Sequence, residues 1–411
     1  MLKQYFDSTI TGIEAKLAAE PDRPRRRKLY ALELARLGRA LYGGEGKVAW
    51  CGVVAPFDLL RAMDVTSCFV EFVGAMLAST EGVGAMLEQA EQLGFSDDGC
   101  SYHRAVQGAA DQGLMPVPDF LIATSCPCSG GLAALHNLAQ HFSRDLFVLD
   151  VPQQQTDEAV SFLAGQLREM VTFVERHTGA RLDSARLGEA VLLGNRTREL
   201  LQEVYALAAH VPSPVAARDL KNFGVVMALF FGSEAGVRLA QTYRDELSAA
   251  VERGEAGVEG ERLRLLWIQN RIQFRQPVER WLEGEWGCAV VCDEFNDVTW
   301  DPIDPDDPYT GMARRIVSFP TNGPVERRIE HLQDLARRYQ VHGAINPCHW
   351  GCRQGAGSRG LVAEGLREVG VPVLNLEVDC VDPRNFAEGQ LRTRIGAFVE
   401  MLEAGARRGE G

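Results

Sequence analysis

Short apolar runs alternate with helical segments in the first and last thirds of the chain. In the first third, runs of strand length cover residues 48–54 and 119–124, and in the last third they cover residues 264–270 and 288–295. Amphipathic stretches with helical periodicity follow most of these runs. Because strands that alternate with helices form parallel βαβ units, the pattern predicts an α/β fold with two doubly wound, Rossmann-like lobes.

A different pattern separates the two lobes. From about residue 156, long amphipathic segments follow one another without a convincing strand, and the polar, glycine-rich stretch ERGEAGVEGER closes them. This pattern predicts a helical domain that links the lobes, and a cleft between the carboxyl edges of the two sheets. We therefore divide the chain into an N-terminal helical segment (1–45), a first α/β lobe (46–155), a helical linking domain (156–262) and a second α/β lobe (263–411).

The composition argues against a nucleic-acid or membrane role. The 411 residues carry a formal net charge of −13, whereas a phosphate-binding surface needs an excess of Lys and Arg. Nowhere does a run of about 18 apolar residues occur, and the first residues lack the apolar core of a signal peptide. We therefore expect a cytoplasmic protein that binds neither nucleic acid nor a membrane.

The ten cysteines are the most informative residues, since disulfides are rare in the cytoplasm. Cys126 and Cys128 directly follow a first-lobe strand, and residues two apart in extended chain point to the same side. Cys348 and Cys352 flank the strand-to-helix turn of the last lobe, and Cys100 precedes a helix. Thiolates from distant lobes favour an iron–sulfur cluster in the interlobe cleft over a self-contained structural zinc module.

The remaining cysteines are weaker candidates. Cys292 ends a second-lobe strand, whereas Cys288 lies four residues earlier, roughly 13 Å along the strand, and is assigned to the core. Cys51, within a first-lobe strand, is kept as a reserve ligand. Cys68 is assigned to the core, and Cys380, just beyond a strand, fits either role.

Two nucleotide-binding motifs bear on this interpretation. Residues 355–360 fit the dinucleotide pattern G-x-G-x-x-G, but cysteines occupy the turn where a pyrophosphate would lie. We expect these glycines to allow a close approach of the backbone to the cluster instead. The chain has no G-x-x-x-x-G-K-[ST] motif, so we do not expect it to bind ATP itself. Three residues near the predicted cleft are candidate catalytic proton donors: His349, Glu294 and His103.

These features resemble those of the 2-hydroxyacyl-CoA dehydratase and benzoyl-CoA reductase superfamily. The resemblance covers most of the chain, and the C-terminal stretch is the most specific part. It is carried by residues 48–65, CSYHRA from Cys100, SCPCSGG at 125–131, DPYTGMARR at 307–315, HWGCRQ at 349–354 and the stretch 371–402. The resemblance implies two α/β lobes with a [4Fe–4S] cluster between them. It also implies electrons supplied by a separate dimeric iron–sulfur ATPase, a small-molecule substrate and a dimer, which we expect to be a homodimer.

The resemblance also implies a ligand set. The family motif places single-cluster ligands at Cys100, at Cys128 or Cys126, and at Cys352 or Cys348. The doubling of two of these positions resembles the double-cubane branch, which holds an [8Fe–9S] cluster on six cysteines, and Cys292 would be the sixth, with Cys51 or Cys288 as alternatives.

The sequence thus leaves three hypotheses. The leading one is an ATPase-activated iron–sulfur reductase that reduces a small molecule at a double-cubane [8Fe–9S] cluster. The alternative is a 2-hydroxyacyl-CoA dehydratase or benzoyl-CoA reductase-type subunit with a single [4Fe–4S] cluster, which requires a groove for the pantetheine arm that opens onto the cluster. The third is a non-catalytic cluster carrier or a scaffold for cluster assembly.

Overall fold

The computed structural model describes residues 2–20, 23–80, 82–220 and 223–409. The chain begins with two helices, α1 (Leu2–Ala19) and α2 (Arg26–Tyr42), which pack on each other. Their contact is apolar and is built from Ile10, Leu17, Leu32 and Ala35.

The first lobe is a four-stranded parallel sheet with helices around it. Its strand order is β2-β1-β3-β4. The strands are β1 (Lys47–Cys51), β2 (Val65–Phe69), β3 (Phe120–Thr124) and β4 (Leu146–Leu149). The helices are α3 (Phe57–Ala62), α4 (Val70–Ser79), α5 (Val83–Gln92), α6 (Ser101–Asp111) and α7 (Ser129–Phe142). All five residues of β3 are buried, as expected of a central strand in a parallel sheet covered on both faces.

Between the two lobes, the described part of the chain forms helices and no strand. They are α8 (Asp157–Thr178), α9 (Ser184–Ala208), α10 (Ala217–Leu220), α11 (Phe223–Met227), a 3₁₀ turn (Ala228–Phe230) and α12 (Glu234–Glu252). Side-chain caps define their starts: the side chains of Thr156, Asp183 and Ser233 accept hydrogen bonds from backbone N–H groups in the first turns of α8, α9 and α12.

The second lobe repeats the architecture of the first. Its parallel sheet has the order β6-β5-β7-β8. The strands are β5 (Leu263–Trp267), β6 (Cys288–Asp293), β7 (Gly343–Asn346) and β8 (Val373–Asn375). Its helical elements are a π-helix (Arg280–Glu285), α13 (Pro308–Val317), α14 (Val325–Arg338), α15 (Arg353–Glu368), a 3₁₀ turn (Pro383–Asn385) and α16 (Glu388–Gly409).

The predicted fold class is confirmed by these two parallel sheets. The four proposed domain boundaries stay a prediction, since the apolar core is continuous from the first lobe through the helical region into part of the second lobe. None of the described helices combines the length and the apolar character needed to cross a membrane.

Candidate functional site

Three cysteines from the two lobes line one interlobe cavity, with about 880 Å³ of open space. Each is the N-cap residue of a helix: Cys100 of α6, Cys128 of α7 and Cys352 of α15. The positive end of a helix dipole stabilises a thiolate or an anionic group. Three helix N-termini that meet at one cavity therefore favour a negatively charged ligand or cluster there.

Glycines bring these turns together. The Cys128 Sγ accepts a hydrogen bond from the Gly131 backbone N–H at 3.4 Å. A Cβ on Gly131 would lie 3.0 Å from Glu71 Oε1 and 3.6 Å from His103 Nε2. A Cβ on Gly351 would overlap the Cys100 backbone, so only glycine lets the turn before Cys352 touch the first lobe. The two lobes are thus in direct backbone contact at the site.

Cys100 has the most distinctive electrostatic environment of the three cysteines. Its Sγ lies 3.6 Å from His349 Nε2. The Cys380 backbone N–H donates to His349 Nδ1 at 3.1 Å, so the proton of a neutral imidazole sits on Nε2 and points at the sulfur. Burial opposes ionisation of the thiol, but His103 and His349 outweigh it and lower the pKa of Cys100 to about 5. Cys100 is therefore a thiolate at neutral pH.

His103, one of the predicted proton donors, lines the same cavity. Its Nε2 lies 3.0 Å from Glu71 Oε1. Burial acts to lower the pKa of His103, but the negative charges of Cys100 and Glu71 outweigh it and raise that pKa well above its ordinary value. The structure thus places a cationic imidazole beside the thiolate, within the cavity.

Gln269 is a site residue that the sequence reasoning missed. Its Nε2 lies 3.7 Å from Cys352 Sγ and donates to Gln354 Oε1 at 2.9 Å. Its φ is +62°, a conformation that costs free energy in a non-glycine residue. The available signal was its position just past β5, at the carboxyl edge of the second sheet.

Glu294, another predicted proton donor, lies behind Gln269. It is fully buried and paired with Arg328 through contacts of 2.6 and 2.8 Å, and it accepts the Gln269 backbone N–H at 3.0 Å. Glu294 therefore orients the loop that carries Gln269. It does not line the cavity of the three thiols, so its role as a proton donor stays a prediction without a contact to support it.

The other three predicted ligands lie elsewhere. Cys126, Cys292 and Cys348 are buried and do not line the thiol cavity, as the described residues define it. Cys126 lines a neighbouring polar cavity with Arg328. The Cys348 Sγ donates to Asn375 Oδ1 at 3.3 Å. Burial raises the pKa of Cys126 to about 12, raises that of Cys348 to about 11 and also raises that of Cys292.

The glycine-rich stretch 355–360 lies inside α15 and begins in its first turn. A Cβ on Gly355 would overlap the side chain of Gln269, whereas Gly357 and Gly360 have no neighbour within 4 Å of that position. Gly355 thus allows a close approach, as expected of this stretch, but the approaching group is the Gln269 side chain.

The thiol cavity also contains polar atoms without partners. Glu71 Oε2, Gln269 Oε1 and Thr321 Oγ1 are buried and have no hydrogen bond within the described part of the chain, and all three residues line the cavity. Within that same part of the chain, no three His, Cys, Asp or Glu side chains are grouped closely enough to hold a single metal ion. The thiols therefore surround a volume instead of converging on a point.

A wide cleft connects the three thiols to solvent. It has about 1840 Å³ of open space and runs between α6, α7 and the start of α15, with Cys100, Cys128 and Cys352 in its wall. The outer end includes Arg353, which is exposed and lies 3.6 Å from Asp98. A long, flexible molecule can thus reach the thiols from outside.

Two parallel α/β lobes that direct thiols from both sheets into one cleft define a two-lobe protein with an interlobe thiolate site. The chain belongs to the 2-hydroxyglutaryl-CoA dehydratase D-component family, whose model matches residues 52–402. The superfamily resemblance predicted from the motifs is therefore confirmed.

The similar characterised proteins are components of acyl-CoA enzymes. The chain is 23% identical to the alpha subunit of (R)-phenyllactyl-CoA dehydratase from Clostridium sporogenes, over 87% of this chain and 90% of that protein. It is 24% identical to the alpha subunit of lactoyl-CoA dehydratase from Anaerotignum propionicum, over 87% and 91%. It is also 24% identical to one of the subunits of benzoyl-CoA reductase from Thauera aromatica, over 84% and 86%.

Proposed function

We propose that this chain is a subunit of a 2-hydroxyacyl-CoA dehydratase or benzoyl-CoA reductase-type enzyme, with one [4Fe–4S] cluster bound by Cys100, Cys128 and Cys352. The observation that carries the proposal is the placement of these three thiols, one at each of three helix N-termini from both lobes, around one cavity. Three thiolates leave one position of a cubane free for a substrate atom. The relatives, which act on CoA thioesters by name, support the same class.

The residues present suit such a cluster. Each of the three sulfurs has an N–H group beside it, supplied by His349, the Gly131 backbone and Gln269. Hydrogen bonds to sulfur stabilise an anionic cluster and adjust its potential. When bound, the cluster would supply low-potential electrons and an iron with an open position. His103 stands at the same cavity and holds a proton that it can transfer to a substrate.

The cleft supports a CoA thioester as substrate. The single-cluster hypothesis required a groove that opens onto the thiols, and the cleft between α6 and α7 meets this requirement. A pantetheine arm lying in it would bring the thioester to the cavity while the nucleotide stays outside. The double-cubane hypothesis does not require such a groove.

The double-cubane reductase, our leading hypothesis from sequence, is less well supported than its alternative. It needs Cys126, Cys348 and a sixth cysteine to reach the same cavity as the other three thiols. Cys292 lies instead in the apolar core on β6, and the Cys348 thiol is hydrogen-bonded to Asn375 on β8. An [8Fe–9S] cluster would therefore require both strand-to-helix turns to rearrange.

A separate ATPase and a second protein chain complete the proposal. Parallel α/β sheets often carry an ATP-binding loop, but this sequence contains no phosphate-binding G-x-x-x-x-G-K-[ST] motif. We propose that a dimeric iron–sulfur ATPase reduces the cluster and that the chain works as a dimer, either with itself or with a homologous subunit.

Iron and acid-labile sulfide counts on anaerobically purified protein test the proposal. About four irons and four sulfides per chain are expected for a single cubane, and about eight irons would establish the double-cubane hypothesis instead. Zinc alone at this site would contradict both. A triple variant, Cys100→Ser, Cys128→Ser and Cys352→Ser, serves as the metal-free control.

A further inference from the structure

A second cavity lies directly behind the thiol cavity. Its non-atom volume, which includes space open to solvent, is about 740 Å³, and we call it the inner cavity. It shares Val53, Val225, Phe295 and Phe319 with the wall of the thiol cavity. The rings of Phe295 and Phe319 are stacked, with centroids 5.4 Å apart and planes 17° apart. The two cavities are therefore neighbours, and the ring pair is part of the wall that they share.

The wall of the inner cavity is mostly apolar. It combines the loop after β1 with side chains from α9, α13 and the 3₁₀ turn at Ala228–Phe230. Phe231 and Trp300 meet edge to face, with centroids 5.7 Å apart. The other apolar residues include Phe57, Leu201, Ala228 and Ile316. Such a surface binds a hydrocarbon or aromatic group by burying it from water.

The charges at this wall are already neutralised. Arg315 is the only cation among the described residues that line the inner cavity. Both of its terminal nitrogens bind the carboxylate of Asp58, at 2.8 and 2.7 Å, and Asp58 is 1% exposed. The acid at the wall, Asp297, is bound by Arg338 at 2.8 Å. A second carboxylate on a ligand would find no free cation here, and its burial would be costly.

One polar group at the wall is free to orient a ligand. Tyr205 is 3% exposed, and its hydroxyl has no hydrogen-bond partner within the described part of the chain. A buried hydroxyl without a partner is rare, because it loses its hydrogen bonds to water. A ligand with one weakly polar substituent would satisfy it.

We propose that the inner cavity binds the far end of the acyl group and that this end is an aryl or branched alkyl group, not a second carboxylate. This inference rests on the proposed function, because it takes the thioester carbonyl to react at the thiol cavity. It defines the substrate class as CoA thioesters of bulky, apolar acids. The stacked Phe295 and Phe319 then lie between the reacting end and the bulky end.

Binding without turnover tests this inference. Iron-loaded protein, kept anaerobic and without ATPase or ATP, is titrated calorimetrically with three probes: phenyllactyl-CoA, 2-hydroxyglutaryl-CoA and acetyl-CoA. Phenyllactyl-CoA is expected to bind about tenfold or more tightly than 2-hydroxyglutaryl-CoA. Equal affinities for these two thioesters would overturn the inference.

Filling the cavity provides the second arm. Ala228→Phe places a ring in the inner cavity and is expected to weaken phenyllactyl-CoA about tenfold while acetyl-CoA changes less than about twofold. Ala185→Phe, at the exposed start of α9, is the matched control and should change neither affinity. Thermal unfolding shows whether each variant is folded. An equal loss for both thioesters in Ala228→Phe would contradict the assignment of the cavity.

The third arm removes the negative charge that neutralises Arg315. Asp58→Asn keeps the shape of the side chain but removes the charge that neutralises Arg315. The affinity for 2-hydroxyglutaryl-CoA is then expected to rise about tenfold, with little change for phenyllactyl-CoA. No gain in folded protein would contradict the argument from charge.

The outcomes separate this inference from the proposed function. If iron-loaded protein binds none of the three thioesters, the proposed function fails. If it binds thioesters but shows neither the aryl preference nor the response to Ala228→Phe, the proposed function stands and the assignment of the inner cavity fails.

Discussion

The two lobes have the same strand order but contribute differently to the site. In each sheet the third strand along the chain leads into a helix whose N-cap is a cysteine: β3 leads to α7 with Cys128, and β7 leads to α15 with Cys352. In each turn an additional cysteine precedes the N-cap residue, Cys126 in the first lobe and Cys348 in the second. The two turns are thus equivalent in topology, and in each only the second cysteine lines the thiol cavity.

Cys100 breaks this equivalence. It enters from α6, between the second and third strands of the first lobe, and its sulfur is close to His349 from the other lobe. The corresponding connection of the second lobe carries α13 and α14 and supplies Arg328 to a buried ion pair instead. A repeated strand–turn–helix unit thus positions two thiols, whereas the connection between the second and third strands of the first lobe supplies the third thiol and its charged surroundings.

The strongest test of the comparison replaces the equivalent cysteines of the two turns by serine, one at a time. Cys128→Ser and Cys352→Ser are each expected to remove most of the iron, because each deletes one of three thiolate ligands. Cys126→Ser and Cys348→Ser, the matched controls from the same turns, are expected to retain the iron and the spectrum of the reduced protein. Iron analysis and electron paramagnetic resonance provide the measurements. Loss of iron in the control variants would instead support the hypothesis of a doubled ligand set, in which Cys126 and Cys348 also bind iron.

The buried ion pair of the second lobe should show the next largest effect. Glu294→Ala leaves Arg328 buried without its partner and is expected to lower the free energy of unfolding by about 3–5 kcal/mol. Urea unfolding monitored by circular dichroism measures it. Glu326→Ala, an exposed position on the same helix as Arg328, should change stability by less than about 0.5 kcal/mol. A small effect at Glu294 would mean that the pair contributes little to the second lobe.

The contact of the second lobe with the helical region should depend on pH through Glu283. Burial raises the pKa of Glu283 to about 7, and its carboxylate accepts the Ala217 backbone N–H. Between the ordinary pKa of 4.5 and this raised value, the folded state binds more protons than the unfolded state, so stability falls as pH rises.

The effect is measured as the difference in free energy of unfolding between wild-type protein and Glu283→Gln. From about pH 4.5 to about pH 8, wild-type protein is expected to lose up to about 3 kcal/mol relative to Glu283→Gln, which does not titrate. Urea midpoints across that range provide the measurement. Parallel pH profiles for the two proteins would show that Glu283 is not the responsible group.

The smallest effect concerns the backbone contact between the lobes. Gly351→Ala places a methyl group against the Cys100 backbone and is expected to cost about 1–3 kcal/mol and to weaken iron retention. Gly357→Ala, in an open position inside α15, should instead stabilise the protein by up to about 1 kcal/mol. Similar thermal stabilities for the two variants would mean that the lobes can separate at Gly351 without cost.

Much of the fold was predictable from local pattern. The alternation of apolar runs and helical segments identified both parallel sheets, because strands buried on both faces are uniformly apolar and are followed by amphipathic helices. The same reasoning placed Cys128 and Cys352 at strand-to-helix turns. Gln269 was missed, although it too follows a strand, because a single glutamine carries no distinctive spacing.

The choice between the cysteines of each pair was not predictable from spacing. In extended chain, Cys126 and Cys128 would point to the same side, but the chain turns at Pro127, and Cys128 alone lines the thiol cavity. The roles expected for His349 and Glu294 depended in the same way on partners far along the chain.

The sequence by itself determined the class of fold, the family and the two turns at which thiols meet the cleft, because each depends on patterns within a few residues or on motifs. Only the tertiary structure decided which cysteines line a common cavity, that His349 points at Cys100 and that Asp58 neutralises Arg315. These facts join residues separated by as many as 257 positions in the chain. Contacts at such separation follow from how the lobes pack together, and no local pattern encodes them.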